Sequence, residues 1–152
     1  MSSLFDETSR ASILRRLETL SPESRRQWGR MTVHQMVCHL SDGYRNPVGE
    51  RTVPSYSTPF KRTLMKWVAL HTSIPWPHGV KTIPESDQEA GGTKPVEFAR
   101  DIAELKRLIT AFAALEKTVA GRSHALFGPL TAEEWGRWGY RHPDHHLRQF
   151  GA

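Results

Sequence analysis

The sequence predicts an all-α fold: a four-helix bundle whose second and third helices are joined by a long, proline-rich crossover containing a short extra helix. Two capping boxes and one sustained apolar seam carry this reading. Thr32-Val33-His34-Gln35 and Thr131-Ala132-Glu133-Glu134 each place a Thr hydroxyl where it can accept from the backbone three residues on, with a Gln or Glu positioned to reach back. Phe98, Ile102, Leu105, Ile109, Phe112 and Val119 recur at the spacing of one buried helix face. No segment alternates as a strand would, and 152 residues suffice for a single helical-bundle domain over 1–152 with its own core.

Taken in order, Asp6 is placed to cap a first helix with Ile13, Leu14, Leu17 and Leu20 on its inner stripe. Ser21-Pro22 opens a short turn that leads to Trp28-Gly29. The second helix starts at Thr32, with Met31 and Met36 at the positions of a hydrophobic staple, and buries Val33, Met36, Val37, Leu40 and Tyr44. Residues 45–95 hold seven of the ten prolines and form the crossover. Within it Thr58-Pro59 starts a short helix with Leu64, Trp67 and Val68 on its apolar face, and Tyr56, Trp67 and Trp76 anchor the crossover over the open end of the bundle. So long a connection can return to the starting end, so the second and third helices are expected to run parallel. The third helix opens at Pro95 and runs to a stop at Gly121. The fourth starts at Thr131, with Leu130 and Trp135 as its staple. Gly136 and Gly139 weaken its first half, and Pro143 predicts a kink between Gly139 and Pro143.

Composition excludes several classes of function. The single Cys38 rules out an internal disulfide and suits a cytoplasmic protein. No apolar run approaches the length of a membrane span, and the N-terminal residues carry no basic-then-apolar signal pattern. The formal charge is +5, with fifteen Arg against six Lys. The basic residues are dispersed, so a solvated surface explains them better than a nucleic-acid groove.

The chemistry concentrates in histidines. His142, His145 and His146 lie within five residues, and His142 and His146, four apart on a helix, project from one face. Such a pair fits a solvated face as well as a metal site, and it lacks the Glu of the His-Glu-x-x-His motif. Its geometry sets His145 to one side, outside the metal ligands. On the second helix His34 and His39 flank the apolar stripe on opposite shoulders; either can line a groove between helices, and the spacing does not choose between them. Cys38 is expected to face outward as a bystander. Gln149 and Asp42 are candidates to hydrogen-bond the ligating rings and fit ordinary helix-surface polarity equally well.

Trp28-Gly29-Arg30-Met31-Thr32-Val33-His34-Gln35-Met36-Val37-Cys38-His39-Leu40, paired with His142-x-Asp144-His145-His146-Leu147-Arg148-Gln149-Phe150-Gly151, resembles the DinB/YfiT-like superfamily of helical bundles, and a bacterial branch of it in particular. The resemblance spans nearly the whole chain, including Phe127-Gly128-Pro129-Leu130. It implies a divalent metal ion (Zn, Ni, Fe or Mn) held by His39, His142 and His146, with His34 outside the ligand set. Pro143 departs from the family pattern, where an ordinary helix former is expected. Three neutral imidazoles leave coordination positions open, as in catalytic zinc sites. The implied function is a metal-dependent enzyme, a thiol-dependent S-transferase or a hydrolase, acting on a small molecule with a low-molecular-weight thiol as a candidate partner and a homodimer as a candidate assembly. The alternative is a non-catalytic bundle that binds a metal or small ligand; a nucleic-acid-associated protein is the weaker third.

Overall fold

Asp6 caps the first helix, its carboxylate accepting from the Ser9 N–H at 2.7 Å, and α1 then runs Glu7–Glu18 with Ile13 and Leu17 buried. In the computed structural model, which describes residues 1–152, four more α-helices follow: α2 (Val33–Val48), α3 (Lys66–His71), α4 (Phe98–Ala113) and α5 (Ala132–Gln149). Both capping boxes form. The Gln35 N–H donates to Thr32 Oγ1 at 3.1 Å while the Thr32 N–H donates to Gln35 Oε1 at 2.9 Å, and Glu134 and Thr131 repeat the exchange at 3.1 and 2.9 Å. The fold is therefore all-α apart from a two-residue antiparallel pairing of Ser123–His124 (β1) with Gly128–Pro129 (β2), which the sequence pattern did not signal.

The pairing of helices follows from which side chains meet. Along α2 and α4, His34 meets Asp101, Arg45 meets Glu104, and beyond the end of α2 Glu50 meets Arg107. These contacts advance together, so the two helices run parallel, as the long crossover allows. Along α2 and α5 they advance in opposite senses, from His39 with His146 to Tyr44 with Gly139. Leu4, Ile13, Met36, Leu40, Phe112 and Trp135 fill the core between these helices. Full burial of each such side chain stabilises the fold by roughly 1.5–3 kcal/mol before chain entropy is counted.

Several expectations are corrected. The third long helix begins at Phe98, capped by Glu97, rather than at Pro95, and ends at Ala113 rather than near Gly121. Beyond it the chain tightens, with Leu115 N–H donating to Phe112 and Thr118 N–H to Leu115, so Val119 is buried from a turn. In the crossover a π-helical turn, Lys61–Met65, precedes α3. It rotates the register so that Leu64 and Trp67 are 54% and 57% exposed and Leu70 is buried instead. Trp67 is thus no anchor, whereas Trp76 donates its indole N–H to the Ala69 carbonyl and Tyr56 takes its backbone partner from Ala125.

The last helix passes through Pro143 without interruption. Proline supplies no N–H to the carbonyl four residues earlier, and that carbonyl, on Gly139, accepts from the buried Tyr44 hydroxyl at 2.5 Å. The two glycines are there for close approach. A Cβ on Gly139 would lie 2.6 Å from the Phe112 ring, and one on Gly136 would lie 2.7 Å from the Phe5 ring. What looked like helix-weakening residues are the places where α5 lets its neighbours in.

Candidate metal centre

His39 is the seventh of the sixteen residues of α2, on the flank turned toward α5. Its Nδ1 lies 2.9 Å from the Ser86 carbonyl oxygen. A carbonyl only accepts, so Nδ1 carries the proton and Nε2 presents a lone pair inward. His146 is fixed by the same logic. Its Nδ1 is 2.8 Å from Gln149 Oε1, while Gln149 Nε2 donates to the Trp28 carbonyl at 2.8 Å. That second bond sets which way the amide faces, leaving its oxygen for His146 and the lone pair of His146 on Nε2.

His142 completes the group. Its Nε2 is 3.0 Å from His39 Nε2, and the ring centroids of the three histidines are 4.8, 5.0 and 5.1 Å apart. One ligand nitrogen from each of the three falls within 4.8 Å of the others. Nitrogens bound tetrahedrally to one ion at about 2.0–2.1 Å lie about 3.4 Å apart, so the group could hold a metal ion once the rings draw together around it. His142 has no anchor on its far side, since its Nδ1 is buried without a hydrogen-bond partner. Packing places it instead: the Trp138 ring is 5.2 Å away, and a Cβ on Gly43 would come within 3.1 Å of its Cε1. The absence of a side chain at Gly43 makes the room that the ring occupies.

Burial pushes all three imidazoles below the ordinary histidine value of 6.5, well below for His142 and His146, where neighbouring imidazoles add to the effect. For His39 the bond to Ser86 opposes burial without cancelling it. Neutral rings with inward lone pairs are the form that metal coordination needs.

Other residues singled out from the sequence divide sharply. His34 donates from Nε2 to the Asp101 carboxylate at 2.7 Å and is outside the three-histidine group. Cys38 is not outward but 2% exposed at the α2–α4 contact, its thiol 3.8 Å from the Asp101 carboxylate of α4. Asp42 touches none of the three rings. Its fully buried carboxylate accepts from Gln88, the Thr93 N–H and hydroxyl, Arg45 and Arg51, and so pins the crossover to α2. Gln149 does bond a candidate ligand. His145 faces the aromatic rings of Trp28, Trp76 and His78, at 6.0, 6.0 and 6.1 Å.

The histidines open on a cavity of about 890 Å³, walled by the crossover, α5 and the β1–β2 turn. Sequence reasoning missed two of its residues. His124 is held down to about 3 by burial, with its Nδ1 accepting from the Leu126 and Phe127 N–H groups, and nothing local in the sequence signals it. Gly43 had a readable signal, since it stands four residues after His39 on the same helix face. No family model, curated protein or solved structure matches the chain. No helix is long and apolar enough to cross a membrane.

Proposed function

We propose that His39, His142 and His146 hold one divalent cation and that the protein is a metal-dependent enzyme acting on a small molecule, as a thiol-dependent S-transferase or a hydrolase on a DinB/YfiT-like four-helix bundle. The observation that carries the reading is the convergence of three buried, neutral imidazoles, two with their tautomers fixed from behind, at the floor of a cavity large enough for a substrate. An ion with three nitrogen ligands and an open position supplies Lewis acidity, lowering the pKa of a bound water or thiol. The chain's own part is to keep the imidazoles unprotonated through burial, to orient two of them through Ser86 and Gln149, and to wall the site against bulk water with Trp76 and Trp138. Zn²⁺, Ni²⁺, Fe²⁺ and Mn²⁺ are all compatible with imidazole ligands.

The test is metal analysis of protein purified without chelators, run beside helical circular dichroism for the wild type and each single His→Ala variant. One equivalent of metal in the wild type, its loss in all three variants and unchanged helicity are expected. Full metal content in His39→Ala would remove the third ligand, and collapse of the helices in the variants would reassign the ion to a structural role.

A further inference from the structure

Seven large hydrophobic side chains are exposed on this molecule, and four of them, Phe60, Leu64, Ile74 and Val80, line the one cavity that contains the three histidines. They are 60%, 54%, 57% and 57% exposed, and none belongs to the core. Singly scattered apolar residues on a surface mean nothing, but a majority gathered at the mouth of one cavity is an organised apolar surface. The walls continue it inward through Met65, Val68, Leu126, Phe127 and Trp138. The hydrophobic lining thus runs from solvent down to the imidazoles.

The charges on the same walls set the other half of the specificity. Only one acidic residue, Asp42, reaches the lining, and its carboxylate is already shared among Arg45, Arg51, Gln88 and Thr93. Of the remaining charged side chains there, Arg30 is likewise paired, with Asp87 and Glu89, and Lys81 is a cation. A dication on three neutral imidazoles keeps its full charge, because no carboxylate is among the ligands. A positively charged head would therefore meet like charge at the floor, and a strongly polar body would meet an apolar wall.

We infer that the cavity takes an amphiphilic small molecule with an apolar body, which lies along Phe60, Leu64, Phe127 and Trp138, and an anionic or thiol head, which meets the metal at the histidines. The assignment of the head rests on the metal reading above; the assignment of the body rests on the cavity alone. A thiol co-substrate of wholly polar character does not match these walls, so the apolar partner of the reaction is the one the cavity selects.

The experiment is isothermal titration of zinc-loaded protein with straight-chain carboxylates from butanoate to decanoate, below their micellar concentrations, and with octyltrimethylammonium as the cationic counterpart. Each added methylene is expected to tighten binding about threefold until the cavity is filled, near the fourfold that complete burial of a methylene would give. Octanoate, four methylenes longer, then binds about eightyfold more tightly than butanoate if the cavity takes the whole chain, and the cationic amphiphile does not compete with it. The double variant Phe60→Ser/Leu64→Ser, which changes only exposed side chains, is expected to weaken octanoate several-fold and leave butanoate unchanged. Equal binding of butanoate and octanoate, or competition by octyltrimethylammonium on equal terms, would overturn the inference. So would a double variant that shifts a dimer to a monomer with octanoate binding untouched, which would give the patch to a second copy of the chain. Zinc content read on the same samples separates this inference from the reading beneath it. Protein that holds no zinc but keeps the chain-length dependence supports the apolar body and removes the metal, whereas protein that holds zinc and shows no dependence overturns the substrate class alone.

Discussion

His34 and Cys38 meet Asp101 on one flank of α2, while His39 meets His142 and His146 on another; each cluster brings three metal-capable side chains within 4.8 Å. The first is closed on itself. Asp101 accepts from His34 at 2.7 Å and from the Val96 N–H at 3.0 Å, and the Cys38 thiol points at the same oxygen from 3.8 Å. Burial, followed by the Asp101 charge, pushes that thiol up to about 12, so it stays protonated and is neither nucleophile nor ready ligand at neutral pH. The second cluster has no carboxylate to close it. Two of its three outer nitrogens are tied back to Ser86 and Gln149, the third, on His142, is held by packing alone, and the group opens on a cavity. Three ligand types in reach of one another do not define a metal site; what distinguishes one is lone pairs left over after the protein has made its own bonds.

The widest separation between the two clusters is expected in metal content. Replacing His39, His142 or His146 by Ala should weaken metal binding by more than about a hundredfold, since even the groups that orient ligands are worth 10–100-fold. His34→Ala and Cys38→Ala should leave it unchanged in the same equilibrium dialysis. Loss of metal from His34→Ala with retention in His39→Ala would exchange the roles assigned to the two clusters.

Acid sharpens the contrast through stability. In metal-free protein His39, His124, His142 and His146 have folded values below the unfolded 6.5. As pH falls through 6.5 the unfolded chain takes up protons that the folded chain refuses, so stability is fully present above 6.5 and is lost below it. One unit below, each histidine that stays neutral costs about 1.4 kcal/mol. Urea denaturation at pH 7.5 and 5.5 checks this, and a flat profile would show that the rings are not shut away from water. Bound metal should dissociate over the same acidic range, with release beginning below about pH 6.

Gln149→Ala comes next. It removes the acceptor that fixes the His146 tautomer and should cost about ten- to a hundredfold in metal affinity. Asp101→Asn is its counterpart in the closed cluster. Burial raises the Asp101 value, but the bonds from Val96 and His34 outweigh that and hold it below the ordinary carboxylate range. Weakening those bonds should cost about 1–2 kcal/mol in urea denaturation, with metal content intact. A metal loss in Asp101→Asn would couple two clusters that the geometry keeps separate.

What could be read in advance follows from how far each residue's partners lie along the chain. Thr32 and Thr131 satisfy helix ends within three residues, so both starts were legible. Cys38 was misplaced because its cover comes from α4, whose Asp101 lies 63 residues along the chain. A helical wheel left His34 and His39 equivalent until Asp101 took one and the Ser86 carbonyl took the other, 67 and 47 residues away. The pairing of His142 with His146 was legible from spacing. The continuity of α5 through Pro143 was not legible from local sequence, since the Gly139 carbonyl that proline leaves unpaired finds its donor in Tyr44, 95 residues away.

The smallest expected effect tests the register of α5 itself. His145 adjoins His146, with ring centroids 5.1 Å apart, yet one residue along a helix turns a side chain by about 100°. That rotation carries His145 out of the three-histidine group and into the aromatic surround of Trp28, Trp76 and His78. Its neighbours there are rings, which contribute packing and no fixed hydrogen bond. His145→Ala should therefore keep full metal content and lose about 1 kcal/mol or less of stability. If Pro143 turned the last part of α5 by one position in solution, His145 would take the place of a ligand. Metal lost from His145→Ala and kept by His142→Ala would report that rotation.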